Sequence, residues 1–513
     1  MRYSYLMPLM AVLASACATA AGDAGKGVPE PAAAAPATAE TAATARTDVR
    51  RISYDRDPYP STYKPLPPDD VLIRNATIYD GLGGEIRNGA ILIQDGKIKA
   101  VGPQAAINAP AGVREINASG KFVTPGIIDI HSHLGVYPSP GLSAHQDGNE
   151  ISGPVTADVW AEHAIWPSDP GFTRAMAGGV TTLQILPGSA NLFGGRGVIV
   201  KNVPARTAQG MKFPGAPYTL KMACGENPKR TYGYGGGRSP GGAPFSRMGN
   251  IAGYRDAWQR ATEYKRKWDK YNADFDAWEA AMTSSSAAVD GDDSGEPPNP
   301  PDRDFELDTL MGVLNGEILV QHHCYRADEM AQVIDLSKEF GYRVSAFHHA
   351  VEAYKIADML AANGVCGALW ADWWGFKAEA YDGIRENIPL VHKAPGGCAI
   401  VHSDDANGIQ RLNQEAAKAL ADGLKAGLSI SRAEAWTWLS RNPAKALGIL
   451  DRTGTLEPGK AADVVIWGGD PFSVYTRADV VFVDGAITWN RNDPSRRPVT
   501  DFELGQPGEG DAK

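Results

Sequence analysis

Two histidines, His131 and His133, stand two residues apart at the end of an apolar run and could share a divalent metal ion. Side chains two apart in a β-strand lie on the same face, so the two imidazoles would point the same way. Such a pair holds one divalent ion at about 2.0 to 2.1 Å. An isolated pair is a weak signal, so the value of this one depends on its surroundings.

Three further apolar runs end in residues that could complete the site. His402 and Asp404 repeat the two-residue spacing and therefore share a face. The other two runs end in adjacent histidines, the doublets 322–323 and 348–349. Neighbouring strand residues face opposite sides, so this alternation lets only one histidine of each doublet point inward.

These residues need elements that bring them together, and the middle of the chain supplies a repeating pattern. Roughly residues 121–450 alternate short apolar runs, such as GGVTTLQIL and YRVSAFHH, with helical stretches. This alternation is typical of repeated βα units, so we predict an α/β fold built on a (β/α)8 TIM-type barrel. Such barrels carry their active sites at the carboxyl ends of the strands, where the histidines lie.

The two ends of the chain have a different sequence pattern. Residues 69–120 and 451–495 carry short alternating strand patterns, and each contains an Asp-Gly pair typical of a hairpin turn, 95–96 and 484–485. We predict that both ends form one small β-sandwich domain beside the barrel, with residues 496–513 as a tail.

Residues at about 247–304 interrupt the βα rhythm and predict a helical insertion. Aromatic side chains recur there mostly at spacings of three or four, which predicts an apolar face packed on the barrel rather than a ligand platform: Tyr254, Trp258, Tyr264, Trp268, Tyr271, Phe275 and Trp278. Residues 284–301 are rich in proline and acidic residues and predict a mobile loop.

The composition excludes several classes of protein. The chain has 513 residues, 43% of them hydrophobic and 21% charged, which fits neither a disordered polymer nor a membrane bundle. A net charge of −10 argues against nucleic acid as a partner, because phosphate contacts need a basic face. Five cysteines are too few for a disulfide scaffold, and we expect Cys224 and Cys324 to be buried free thiols facing away from the metal pocket. Export would make a disulfide possible, but spacing alone cannot pair the cysteines.

The first residues predict export. Arg2 precedes an apolar run that is too short to span a bilayer, and small residues follow it, so we interpret residues 1–20 as an export signal. Cleavage before Cys17 would leave a cysteine for a lipid anchor in the inner or outer membrane, whereas cleavage after the triplet 18–20 would discard it. We interpret residues 21–68 as an Ala/Pro-rich tether and lead-in to the folded part of the chain. We expect a bacterial periplasmic protein or membrane-anchored lipoprotein.

The run TPGIIDIHSHL, residues 124–134, resembles the first barrel strand of the metal-dependent amidohydrolase superfamily. Residues 177–182 (AGGVTT), 194–197 (GGRG) and 456–463 (LEPGKAAD) resemble its imidazolonepropionase-related branch. The resemblance implies a β-sandwich followed by a barrel that hydrolyses a C–N bond of a small amide. It also implies two divalent ions, with zinc favoured, that activate a water.

The same resemblance selects the remaining metal ligands. The motif HCYRAD selects His323 rather than His322, and HAVEAY selects His349 rather than His348. We expect His322 and His348 either to pack outward or to hydrogen-bond behind the ligands. The ligand set it implies includes a strand-four lysine, carboxylated in many relatives: His131, His133, Lys221, His323, His349 and Asp404. Glu226 is the alternative bridging ligand, since a glutamate has that role in other relatives.

Roles beyond metal binding follow from the same comparison. Asp404 would take a proton from the attacking water and pass it to the leaving group. His402 would either orient the water or substrate, or support a ligand from behind. Arg230 and Arg326, and also Arg247, could clamp a substrate carboxylate or could pair with acidic neighbours.

The substrate stays open at this stage. Dipeptides and N-acyl amino acids are favoured, because an exported protein meets peptides and acylated compounds. Imidazolonepropionase-type ring opening is the alternative reaction. A non-catalytic barrel that serves as a binding protein is the alternative class, and the retained histidines argue against it.

Overall fold

The computed structural model describes residues 50–234, 243–285 and 296–498. The export signal, Cys17 and most of the tail lie outside the described residues. Contacts divide the chain into two units after Arg50, and every element below belongs to the second unit. No helix within the described ranges is long and apolar enough to cross a membrane.

Sixteen strands alternate with helices along the described residues. The amino-terminal strands are β1 (Val71–Tyr79), β2 (Glu85–Gln94), β3 (Lys97–Pro103), β4 (Arg114–Asn117) and β5 (Phe122–Pro125). The central strands are β6 (Ile127–Ser132), β7 (Val180–Ile185), β8 (Phe193–Lys201), β9 (Thr219–Ala223), β10 (Leu319–Cys324), β11 (Val344–His349), β12 (Cys366–Leu369) and β13 (Ala399–Val401). The last strands are β14 (Val464–Trp467), β15 (Ala478–Val483) and β16 (Ala486–Asn490).

The helices mostly follow the central strands. They are α1 (Pro170–Ala177), α2 (Ala208–Met211), α3 (Glu226–Pro228), α4 (Arg247–Ser285), α5 (Phe305–Leu314), α6 (Ala327–Phe340), α7 (Ala357–Ala362), α8 (Asn387–Lys393), α9 (Leu412–Lys425), α10 (Arg432–Trp436) and α11 (Arg441–Ala446). The short α3 is followed by a π-helical turn, Lys229–Tyr234.

The two ends of the chain share one sheet. Its order is β16-β15-β14-β5-β1-β2-β3, with β4 paired to β1, so β5 joins the amino-terminal strands to the carboxyl-terminal ones. Asp95 and Gly96 turn between β2 and β3 with φ of 52° and 74°, and Asp484 and Gly485 turn between β15 and β16 with φ of 47° and 78°. Positive φ at both central residues is what a type I′ hairpin turn requires, which confirms both predicted turns.

The central sheet has the order β6-β7-β8-β9-β10-β11-β12-β13 and is nearly closed. The backbone N–H of Asp404, just after β13, donates to the carbonyl of His131 on β6 at 3.0 Å. The α/β class is therefore confirmed, but β8 runs antiparallel to β7 and β9. Residues 186–192 between β7 and β8 are too few for the crossover that a parallel pair needs, so strict (β/α)8 alternation is not met there.

The aromatic insertion forms one long helix, α4, and its aromatic face is a packing face, as predicted. Tyr254 and Trp258 are fully buried in the main core. Tyr264, Trp268, Tyr271 and Phe275 form a second cluster with Met311 of α5. Within the predicted loop of residues 284–301, residues 286–295 lie outside the described part of the chain.

Residues 51–68, predicted as the end of a tether and lead-in, form no helix or strand but contact the folded unit. The backbone N–H of Thr62 donates to the carbonyl of Gln209 at 3.0 Å. The Tyr63 hydroxyl donates to the Asp484 carboxylate, which also accepts from the buried ammonium of Lys201. The lead-in therefore contacts α2 and the turn between β15 and β16.

The prediction of free thiols at Cys224 and Cys324 is wrong, because they form a disulfide with a Cα–Cα distance of 5.2 Å. Cys366 and Cys398 form a second one, with Cα atoms 4.6 Å apart. Strand register explains both pairs. Ala223 lies beside His323, so the next residues of β9 and β10 face each other, and Gly367 beside Ala399 aligns the preceding cysteines.

Candidate metal centre

The first two predicted ligands meet a carboxylate at the end of β6. The Nε2 atoms of His131 and His133 are 3.2 Å apart. Oδ1 of Asp404 lies 3.3 Å from Nε2 of His131 and 3.2 Å from Nε2 of His133. All three ligand atoms lie within 4.8 Å of one another, which is a spacing that one metal ion could fill.

Lys221 of β9 reaches the same point. Its Nζ lies 3.3 Å from Nε2 of His131, and the side chain is fully buried. Burial lowers the pKa of Lys221 to about 7, so much of this amine is neutral near neutral pH. Glu226, the alternative bridge, starts α3 instead, and its nearest cation is Lys377 at 3.8 Å. The geometry brings Lys221, rather than Glu226, to the histidines.

Three more histidines surround this group. His131, His349 and His402 form a second set whose nitrogens lie within 4.8 Å of one another. Nδ1 of His349 is 3.9 Å from Oδ2 of Asp404. The ring of His323 lies 4.6 Å from that of His349, centroid to centroid, while its Nε2 faces Asn227. His402 therefore lies among the candidate ligand atoms. A residue that only supported a ligand from behind would not need to lie so close to them.

The buried nitrogens of these rings fit a metal ion. Both nitrogens of His402, and Nδ1 of His323 and His349, have no hydrogen-bond partner among the described residues. Buried polar atoms are normally paired, so such a concentration marks a place where another group binds. Burial also holds the pKa of all three histidines, and of His131, well below the usual range. They are neutral at physiological pH, as metal ligands must be.

The two histidine doublets behave differently from each other. His322 packs away from the site against Tyr254, whose hydroxyl is 3.4 Å from its Nε2. His348 and His349 both approach His131, with centroid distances of 4.8 Å and 4.7 Å. His348 therefore does not pack outward but hydrogen-bonds behind a candidate ligand, which is the second of its two expected positions. His349 is the last residue of β11 and has a φ of 70°, so regular strand alternation breaks down at this residue.

His348 fixes the orientation of His131 from behind. Gln321 donates through Nε2 to the carbonyl of Ala446 at 3.4 Å, which leaves its Oε1 to accept from Nε2 of His348 at 2.7 Å. Nδ1 of His348 then accepts from Nδ1 of His131 at 2.8 Å. Only Nε2 of His131 keeps a free lone pair, and it faces Asp404 and Lys221. The relay selects the tautomer that a metal ligand requires.

Comparisons with known proteins point the same way. The sequence profile of the amidohydrolase family matches residues 318–488. The crystal structure of an amidohydrolase from Thermotoga maritima MSB8 matches with a TM-score of 0.69 and 30% identity, covering 82% of this chain and all of that one. The chain belongs to the amidohydrolase family.

The curated relatives agree with this assignment. The amidohydrolase tasK of Hapsidospora irregularis is 30% identical over 449 residues, which are 82% of this chain but 43% of tasK. The imidazolonepropionase of Rhizobium rhizogenes is 24% identical over 428 residues, 77% of this chain and 90% of that enzyme. The superfamily predicted from the motifs is therefore confirmed, and its homologues are hydrolases acting on C–N bonds.

In this amidohydrolase-family chain a second carboxylate, Asp129, supports the first. Its Oδ1 accepts the backbone N–H groups of His131 and Ser403, each at 3.2 Å, and its Oδ2 accepts the Ser403 hydroxyl. Asp129 thereby ties β6 to the segment that carries Asp404. Burial raises the pKa of Asp129 to about 7. Strand alternation and motif resemblance did not single out Asp129, although a charged side chain inside the apolar run before His131 was a signal.

The Asp404 carboxylate is held ionised. Burial would raise its pKa, but His349, His133 and His402 outweigh burial and lower the pKa below the ordinary value. Its backbone has a φ of 58°, which Asp tolerates better than most residues. Asp404 therefore faces the histidines as an acceptor.

Of the three predicted arginines, two already have partners. Arg326 makes two bonds of 2.9 Å to Asp328. Arg247 lies 3.0 Å from Glu329 and also donates to Glu379. Arg230 is exposed on the turn after α3 and has no ion-pair partner in the described ranges. Arg230 alone is free to meet a substrate.

Proposed function

We propose that the protein is a metal-dependent amidohydrolase that hydrolyses the C–N amide bond of a small substrate, with dipeptides and N-acyl amino acids favoured. The observation that carries this proposal is the meeting of His131, His133, Asp404 and Lys221 within 3.3 Å contacts. The nearly closed central sheet is, on this proposal, a TIM-type barrel with one reversed strand.

The donor set suits two divalent ions, with zinc favoured. Six residues would hold them: His131, His133, Lys221, His323, His349 and Asp404. Lys221 would serve as the bridge in its carboxylated form, a carbamate that the neutral amine would form by adding to carbon dioxide and releasing a proton. Bound ions would supply Lewis-acid polarisation of the scissile carbonyl and activation of a water.

The chain's own groups supply proton transfer and orientation. The ionised Asp404 would accept a proton from the attacking water and return it to the nitrogen of the departing amine. His402 is buried within the same group, with no hydrogen-bond partner among the described residues, and would orient the water or the substrate. The relay from Gln321 through His348 keeps Nε2 of His131 directed at the centre.

A second candidate reaction is opening of an imidazolone ring, which the similarity to the Rhizobium rhizogenes imidazolonepropionase favours. It would use the same residues on a cyclic amide. A non-catalytic binding barrel is the remaining alternative.

A substrate panel tests the proposed function. The metal-loaded protein would be assayed with dipeptides, N-acyl amino acids, lactams and imidazolonepropionate, ranked by kcat/KM. We expect hydrolysis within the first two groups. Fastest turnover of imidazolonepropionate would select the second candidate, and absence of turnover together with absence of metal would select the binding barrel.

Replacement of Lys221 tests the bridge. Lys221→Ala should lose most activity, because it removes the group between the two ions, and bicarbonate or short carboxylic acids should restore part of it. Glu226→Ala is the matched control and should leave metal content near normal. Activity and metal content measured in both variants decide the matter. If Glu226→Ala lost its metal while Lys221→Ala kept normal activity and metal content, the bridging role would belong to Glu226.

We also propose that the protein is exported. Two disulfides support this, since disulfides persist mainly in oxidising compartments. We expect envelope recovery of a mature chain that starts at Cys17 or a few residues later. Mass spectrometry of the intact amino terminus separates a lipid-modified Cys17 from a bare alanine. A cytosolic chain that still begins with Met1 would contradict export.

A further inference from the structure

The segment that follows β12, residues 370–386, lies beside the metal centre and carries a lysine among aromatic rings. The ring of Trp370 lies 4.3 Å from that of His349, centroid to centroid. Lys377 lies further along the segment, with Nζ 4.3 Å from the centre of the Tyr325 ring. Tyr325 directly follows Cys324, the last residue of β10. The segment after β12 therefore reaches from the carboxyl end of β12 to the carboxyl end of β10.

The ammonium of Lys377 is short of hydrogen-bond partners. Its side chain is 17% exposed, and Nζ lies 3.8 Å from the nearest carboxylate oxygen, that of Glu226, which is too far for a hydrogen bond. Its one hydrogen bond within the described part of the chain goes to a neutral group, Oδ1 of Asn227, at 2.9 Å. An ammonium has three donors, and a largely buried one that leaves donors unused is costly.

A single residue, Asn227, lies between this cation and a predicted metal ligand, His323. Nδ2 of Asn227 is 3.4 Å from Nε2 of His323, so Asn227 links Lys377 to the centre. Arg230 lies three residues after Asn227, on the turn that follows α3, and has no ion-pair partner within the described ranges. Two cations, Lys377 and Arg230, therefore lie on the side of the centre where β9, β10 and β12 end, together with the Glu226 carboxylate 3.8 Å from Lys377.

Aromatic surface adjoins this cation. Trp370 stacks on Trp373 with centroids 5.1 Å apart and contacts Phe376 at 5.7 Å. Trp373 is 39% exposed and Phe376 is 55% exposed, which is unusual for large apolar side chains beside a buried cluster. A ligand that touches both features needs an anionic group and an apolar group.

We infer that Lys377 and Asn227 form a carboxylate subsite at the edge of the metal centre, and that Trp373 and Phe376 bind an apolar group of the same molecule. The ligand class is a small organic carboxylate with an aromatic or aliphatic side chain. Its link to turnover rests on the proposed function, since dipeptides and N-acyl amino acids belong to this class. Ligand binding by the subsite requires no turnover.

Calorimetry with three non-hydrolysable probes tests the subsite on the metal-loaded protein. The probes are 3-phenylpropionate, 3-phenylpropanol, which lacks the charge, and propionate, which lacks the ring. We expect 3-phenylpropionate to bind roughly ten- to a hundredfold more tightly than 3-phenylpropanol, because a charge-assisted hydrogen bond separates them. Propionate should also bind more weakly than 3-phenylpropionate, and Trp373→Ala should reduce that difference.

Variants assign the charge preference to Lys377. Lys377→Met should lose most of the preference for 3-phenylpropionate, and Lys377→Arg should keep part of it. Lys338→Met removes the same charge from an exposed position on α6, where the side chain is 61% exposed, and should bind like wild type. Thermal melting confirms that each variant is folded.

Two results would overturn the inference: no binding of 3-phenylpropionate by the wild type, or an unchanged preference in folded Lys377→Met, which would direct the carboxylate to the metal ions instead. A protein that shows the expected binding pattern but hydrolyses nothing in the substrate panel would keep the subsite and refute the proposed function. Hydrolysis of a panel substrate without the expected binding pattern would support the proposed function and refute the subsite.

Discussion

Asp404→Asn is expected to lower kcat by roughly 10²- to 10⁴-fold, the usual cost of removing a general acid–base group. The substitution keeps the size of the side chain and one oxygen that can bind metal, but an amide cannot accept the proton of the attacking water. Oδ1 of Asp404 lies 3.2 Å and 3.3 Å from two histidine nitrogens, so the retained oxygen can still occupy this position. Metal content should therefore change much less than turnover.

The assay uses the best substrate from the panel, with wild type and variant at equal metal loading. Asp405→Asn is a suitable control, because Asp405 is the adjacent residue and carries the same chemical change outside the histidine group. Asp405→Asn should keep most of the wild-type kcat. Equal turnover by wild type and Asp404→Asn would show that the proposed mechanism is wrong even though the family is right.

Replacement of both His131 and His133 by alanine should remove most of the bound metal. The wild type should carry about two divalent ions per chain, as the donor set of a two-metal site requires. His131 belongs to both groups of potential ligands, so its loss weakens each of them. Elemental analysis of protein expressed in metal-supplemented medium measures the content.

His145→Ala together with His163→Ala is the matched control for this double substitution. Neither residue belongs to the groups of potential ligands found within the described ranges, and the His163 side chain is 47% exposed. Their loss should leave metal content unchanged. A wild type without metal would refute the enzyme proposal and favour the binding barrel.

Several features of the site could be predicted from local sequence because strand alternation is a local rule. His131 and His133 do converge, and so do His402 and Asp404 with them. The hairpin turns at Asp95 and Asp484 were predictable for the same reason, since positive φ is a property of the turn residues themselves. Motif resemblance added the family.

Other features depend on register between distant strands, which no local pattern determines. The disulfides require Cys224 and Cys366 to lie beside particular residues of neighbouring strands, 100 and 32 positions away. The direction of β8 depends on the length of the connection between β7 and β8. That length is set by where the two strands end and begin, which local sequence does not fix.

The role of His348 needed information of both kinds. Alternation placed it opposite His349, either packed outward or hydrogen-bonded behind the ligands, and the hydrogen bond to His131 shows the second arrangement. The partner that makes His348 useful, Gln321, comes from β10 and was identifiable only from the spatial arrangement. The same holds for Asp129, whose partner Ser403 lies at the other edge of the nearly closed sheet.

The most direct test of the central claim is anomalous diffraction from crystals of the metal-loaded protein, recorded on both sides of the zinc absorption edge. We predict two peaks among the side chains of His131, His133, Lys221, His323, His349 and Asp404, with extra density on Nζ of Lys221. Absence of any peak inside this group, or peaks only at other places on the protein, would contradict the account.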